Sequence, residues 1–266
     1  LLYDGAMSTA IQPQKTTPPA TGLSPSELDE YRDGGFVRLG GRFTVDEVAL
    51  WQAECQRLLG LTELIHSDNL RFEFAKGQVW KFDPLVDISP VFAQLAHDPR
   101  ILGPLSTIYG GRKPTLFKDK LIYKPAGTRG NGLHQDYTWW QSFPTSMITV
   151  TIAIDGGTRE NGCTEIFAGH SRGLISELGT LAYLDPAQID EGTVRYFESQ
   201  PGDFALFHCF APHRAGENRS TGQRRQLFLT YNDSADGDHY RAHYRHMWDY
   251  RRTALDAADR ARAYFR

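Results

Sequence analysis

The chain has 266 residues, 40% apolar and 23% charged, with a net charge of −3. That supplies enough apolar surface for a substantial core, and the acidic balance excludes a nucleic-acid binder built on basic patches. No run approaches the roughly 20 apolar residues a membrane span needs. The cysteines Cys55, Cys163 and Cys209, odd in number and without C-x-x-C spacing, read as reduced thiols of a cytoplasmic protein.

Residues 1–7 read as an expression remnant and the Thr/Pro-rich residues 8–23 as a mobile arm, leaving 24–266 as one domain. Ser24-Pro25-Ser26-Glu27 has the form of a capping box with proline at the first helical position. Thr44-Val45-Asp46-Glu47 repeats the device, and Val48, Trp51, Cys55 and Leu58 then recur on one helical face. Asp98-Pro99 opens a further helix after a short one near 90–97, so the N-terminal third is expected to be largely helical. After Gly111 the texture changes. Residues 115–124 alternate, 146–154 are β-branched, and 194–199, 203–209 and 226–231 are short strand candidates separated by Gly/Pro/Asn clusters. That punctuation predicts a mainly β jelly roll or barrel with flanking helices. Residues 235–265 return to a helical pattern.

The chemistry gathers at His134-Gln135-Asp136. Two imidazoles and a carboxylate are the minimum set that holds Fe(II) on one face and leaves the other open. On a strand, His134 and Asp136 project to the same side and Gln135 away from it. Alone the tripeptide says little, since His66-Ser67-Asp68 repeats the spacing with nothing comparable around it. Two histidines compete for the third place. His208 sits inside the alternating run Phe204–His208 and reads as a core histidine. His213 follows that strand and stands eleven residues before Arg224, enough to turn and return on a neighbouring strand, so His213 is the stronger candidate. Arg224 would anchor a dicarboxylate co-substrate; Arg225, beside it, must face the opposite way.

The runs GLHQDYTWW, IAIDGGTRENGCTEIFAGHSRG and PGDFALFHCFAPHRAGENRSTGQRR resemble the phytanoyl-CoA dioxygenase family of Fe(II)- and 2-oxoglutarate-dependent oxygenases, and the resemblance spans about residues 24–232. It implies a double-stranded β-helix (a cupin-like jelly roll), His134, Asp136 and His213 as iron ligands, and Arg224 on the far carboxylate of 2-oxoglutarate. It further implies co-substrate contacts from Lys118 and Thr149. Two departures stand out: Ala168-Gly169-His170 replaces the family's Gly-Ser-His, and Ala215 replaces a serine that some relatives place on the co-substrate. Asp136 is retained, which argues against halogenation.

The implied reaction consumes O2 and 2-oxoglutarate, releases succinate and CO2, and hydroxylates an unactivated C–H bond of a small polar metabolite or natural-product intermediate, as in antibiotic biosynthesis. An aminophosphonate-type hydroxylase is the narrower alternative. No lysine/arginine cluster in the sequence marks a site for coenzyme A phosphates. Trp140, Tyr137 and Lys120 are the expected substrate contacts, Trp140 because strand parity puts it with Asp136 and points Trp139 away. A non-redox cupin-type metal enzyme is a rival reading, but it leaves Arg224 unexplained, and a silent binding module is contradicted by an intact ligand set. His239, His243 and His246 share one face of a C-terminal helix and form a weaker rival metal site. The expected partner is a small molecule, with no nucleic acid or membrane. The chain is equally compatible with a monomer and a homodimer.

Overall fold

The computed structural model describes residues 21–75, 77–140, 142–175 and 183–266. The N-terminal remnant and most of the expected arm lie outside the described residues. The arm's last residues are docked, with the Leu23 N–H donating to Thr107 Oγ1 at 3.3 Å.

Both expected capping boxes form. Ser24 and Glu27 close one at the start of α1 (Pro25–Gly34), and Thr44 and Glu47 close another at α2 (Val45–Leu59). Val48, Trp51, Cys55 and Leu58 make the buried face of α2. The N-terminal third is nonetheless less helical than expected. It also contains β1 (Phe36–Leu39), β2 (Phe72–Ala75) and β3 (Gln78–Phe82). Each has four or five residues, too few for a periodicity to show, and β1 and β3 are held by partners far along the chain. Helices α3 (Pro90–Ala96) and α4 (Pro99–Ile108) follow, the second capped by Asp98.

The remaining strands are β4 (Pro114–Lys124), β5 (Asn131–His134), β6 (Ile148–Ala153), β7 (Thr164–Phe167), β8 (Val194–Tyr196), β9 (Phe204–His208), β10 (His213–Ala215) and β11 (Arg224–Asp233). They build a seven-stranded antiparallel sheet in the order β1-β9-β6-β11-β4-β3-β2 and a four-stranded one in the order β5-β10-β7-β8. This is the expected double-stranded β-helix. One face of the larger sheet carries Leu121, Tyr123, Val150, Leu206 and Leu229, which pack with α2–α4 into the main core. The alternate positions Lys120, Arg224 and Phe228 line the space between the sheets. Helix α5 (Tyr240–Thr253) closes the side of that space along β4, and α6 (Ala257–Arg262) follows. No helix among the described residues is long and apolar enough to cross a membrane.

Candidate active site

Register brings the metal-binding groups together. His213 on β10 pairs directly with His134, the last residue of β5, and the ring centroids stand 4.3 Å apart. Their Nε2 atoms lie 3.8 Å (His134) and 3.9 Å (His213) from Asp136 Oδ1. Among the described residues this is the one group of three or more His, Cys, Asp or Glu side chains arranged to hold a metal. The His239/His243/His246 face does not assemble one.

The donor set suits iron on three counts. The Nδ1 of His134 faces the Gly132 carbonyl at 2.7 Å and that of His213 the Ala211 carbonyl at 3.0 Å, which fixes Nδ1 as the protonated nitrogen and leaves each Nε2 lone pair free. Burial pushes His134 down to about 3, helped by the neighbouring His213, and depresses His213 too, so both rings are neutral. Burial works to raise Asp136, but His213, Lys120 and His134 outweigh it and hold the carboxyl below its usual range. The site is thus already in the protonation state a metal requires.

Asp136 does not reach the site by strand parity. The strand ends at His134, and Asp136–Trp139 form a 3-10 turn. Gln135 turns away and staples the next loop, donating to the carbonyls of Gly173 (2.8 Å) and Phe210 (2.6 Å) and accepting from the Ile175 N–H. The turn also corrects the expectation, which rested on a continuing strand, that Trp139 points away. Trp139 and Trp140 both line the cavity. Tyr137 does not: its ring stands edge-on to Phe210, and its hydroxyl donates to the Phe143 carbonyl at 2.8 Å.

At the far end of the cavity Arg224 is 5% exposed and, among the described residues, forms no ion pair with a carboxylate. It donates to the Asn161 carbonyl at 3.3 Å and to Gln226 Oε1, and Gln226 is held in turn by Thr151 and Thr164. Burial pushes Arg224 down to about 10. Arg225 faces the other way, in a two-point pair with Asp155 at 2.8 and 2.6 Å. Lys124, opposite Arg224 in register, was not foreseen. It is buried, its Nζ donates to the Gly162 and Gly216 carbonyls, and burial beside Arg224 lowers it to about 8. Among the described residues neither cation forms an ion pair with a carboxylate, and a dianionic co-substrate would satisfy both.

Thr149 and Lys118 are placed differently from the expected co-substrate contacts. The Thr149 hydroxyl is shared with Thr230 at 3.0 Å, and the residue is not among those lining the cavity. Lys118 stands six residues from Lys124 on β4, about 20 Å by strand rise. Lys118 is thus nearer the Trp140 end of the cavity than the Arg224 end. Lys118 instead faces Asp83 at 3.6 Å and the Trp140 ring at 5.9 Å. Lys120 lies between, 4.8 Å from the Phe228 centroid, and burial together with Lys118 lowers it to about 8.

A cavity of about 610 Å³ connects these groups. A His-Asp-His group between the sheets of a jelly roll, with a buried arginine that has no carboxylate partner among the described residues on the facing sheet, is the site of an Fe(II)- and 2-oxoglutarate-dependent dioxygenase. The chain belongs to the phytanoyl-CoA dioxygenase (PhyH) family, which it matches over residues 31–226. It is 29% identical over 231 residues to a methylphosphonate hydroxylase of Gimesia maris, covering 82% of this chain and 84% of that one. A 2-aminoethylphosphonate dioxygenase from an uncultured bacterium is 34% identical over 142 residues, 52% of this chain and 53% of that one. In fold, the chain is similar to the crystal structure of EctD from S. alaskensis with 2-oxoglutarate and 5-hydroxyectoine (TM-score 0.70, 21% identity, 84% of this chain and 80% of that chain).

Lys81, Asp83, Lys124 and Arg251 also line the cavity and were not foreseen, while His243, expected only within the weaker rival metal site, lines it as well. Of the four not foreseen, only Lys124 carried a signal, sharing the parity of Lys118 and Lys120 along β4.

Proposed function

We propose that this dioxygenase hydroxylates a C–H bond of a small organophosphonate, with aminophosphonates as the narrower candidates. The supporting observation is the charge of the cavity wall. Lys81 and Arg251 pair with Glu73 and also face Asp83, at 3.4 and 3.6 Å. Lys118 faces Asp83 too, at 3.6 Å, so two carboxylates are shared among four cations once Lys120 is counted. The cluster of Lys81, Lys118, Lys120 and Arg251 therefore carries a surplus of two positive charges over Glu73 and Asp83, with Lys118 and Lys120 on the same face of β4. A phosphonate, carrying one to two negative charges near neutral pH, complements that surplus, and the two phosphonate-oxidising relatives point to the same substrate class. A cavity that must also hold the metal and 2-oxoglutarate leaves room for a small metabolite.

Bound Fe(II) would supply the O2-activating chemistry, and His134, Asp136 and His213 would hold it. The balance is one substrate C–H, O2 and 2-oxoglutarate consumed, and one C–OH, succinate and CO2 formed. The protein's part is orientation and exclusion of water. Arg224 fixes the co-substrate, the lysine pair draws in the anionic end of the substrate, and Trp139 and Trp140 wall the reacting end.

The test is a panel of small phosphonates, with carboxylate and sulfonate analogues, scored by substrate-dependent succinate release and by the hydroxylated product. Phosphonates are expected to stimulate release at least tenfold over the carboxylate analogues. Equal stimulation by carboxylates, or none by any phosphonate, would sink the proposal. A visible charge-transfer band on anaerobic addition of Fe(II) and 2-oxoglutarate, lost in His134→Ala, separates the oxygenase from a non-redox cupin-type enzyme.

A further inference from the structure

We infer that the cavity contains a dedicated oxyanion subsite in which Lys118 and Lys120 carry the charge, His243 supplies an N–H donor, and Asp83 positions Lys118 from behind. This rests on the proposed function and adds the residues that read the anion.

His243 carries the argument beyond charge. It is 3% exposed, it belongs to the cavity wall, and neither ring nitrogen has a hydrogen-bond partner. Buried polar side chains are nearly always satisfied, and one left unpaired calls for a reason. The apolar neighbours offer none: the ring stands 4.5 Å from the Phe117 centroid and 6.3 Å from that of Trp140. Lys118 Nζ stands 5.9 Å from the same Trp140 ring, so an imidazole without a hydrogen-bond partner and an ammonium that shares Asp83 with two other cations lie beside one indole. A tetrahedral oxyanion offers three acceptor oxygens in a compact group, enough to take an N–H from His243 and ammonium protons from both lysines. An unbranched polar group such as a hydroxyl would leave donors unused.

The subsite is anchored from behind. Asp83 is fully buried, and one of its oxygens accepts from the Tyr244 hydroxyl at 3.2 Å. Its other oxygen has no hydrogen bond and faces Lys81, Lys118 and Arg251 at 3.4–3.6 Å. The Tyr244 hydroxyl also accepts the Asp119 N–H at 3.0 Å, and Tyr240 donates to Asp119 Oδ2 at 2.7 Å. These bonds lock α5, which carries His243, against β4, which carries the lysines. Donor and charges are therefore preorganised on two elements rather than on a loop.

The experiment is equilibrium binding of methylphosphonate, with sulfate as a second oxyanion, to anaerobic protein loaded with Fe(II) and 2-oxoglutarate. The wild type is expected to bind methylphosphonate. Lys118→Met should weaken binding at least 30-fold and His243→Leu at least fivefold, each keeping the 2-oxoglutarate charge-transfer band at wild-type strength. His243→Asn, which restores an N–H, should recover part of the loss, and it stands in if the leucine variant does not fold. No binding to the wild type, or binding indifferent to both substitutions, overturns the subsite. Binding that responds as stated while no phosphonate drives succinate release overturns the substrate reading and leaves the subsite standing. Phosphonate hydroxylation with unaltered KM in Lys118→Met and His243→Leu does the reverse.

Discussion

Arg224 and Arg225 show how much one position along a strand decides. Arg225 is satisfied by Asp155 on the outer face and is structural. Arg224, one step on, is buried without a carboxylate partner and is available to a ligand. Removing one member of a buried charge pair costs about 2–5 kcal/mol. Arg224→Ala is therefore expected to weaken 2-oxoglutarate binding by about 100-fold or more, with metal binding retained, as titration of the charge-transfer band would read. Arg224→Lys should recover little, because a point charge cannot reproduce the planar fork. Strand parity foresaw this pair correctly. It failed at Trp139, which lines the cavity, because it assumed that the strand ran past His134.

The elements that deliver these residues are short, and their ends matter more than their middles. The break at His134 into a 3-10 turn is what brings Asp136 back under both imidazoles and puts Trp139 as well as Trp140 into the cavity. A loop glycine has a comparable role at the co-substrate end. Gly162 has φ +69°, and a Cβ there would stand 2.3 Å from the Gly216 carbonyl oxygen and 2.7 Å from Lys124 Nζ. The loop from β6 and the loop from β10 can approach one another, with Lys124 bridging them, only because that position has no side chain. Gly162→Ala is expected to destabilise the fold by about 1–3 kcal/mol, measured by denaturant unfolding. It should also weaken 2-oxoglutarate binding through displaced Lys124. An alanine variant of wild-type stability would show that the loops have room the structure does not display.

Across the whole molecule, charge is segregated. The chain is net acidic, yet Lys118, Lys120, Lys124 and Arg224 face one cavity. Low-dielectric walls concentrate such a field, and salt screens it over a Debye length of about 8 Å at physiological ionic strength. The KM for a phosphonate substrate is expected to rise several-fold between about 20 mM and 500 mM salt, while 2-oxoglutarate, held at the more deeply buried Arg224, responds less. A phosphonate KM flat across that range would mean that the surplus charge is not felt by the substrate. The jelly roll, the capping boxes, the grouping of His134, Asp136 and His213 and the inward face of Arg224 were legible in the sequence, because these depend on short-range spacing, strand alternation and a resemblance carried by local motifs. It could not show the cation cluster. Lys81, Lys118, Lys120 and Arg251 are scattered over some 170 residues, and no local pattern marks them as neighbours. Nor could it show that His243 is left without a partner, since helical spacing places a residue on a face but does not say what that face meets. Only pairing β3 to β4 and laying α5 along β4 brought those side chains to one wall, and long-range packing of that kind decides which charges stay unmatched.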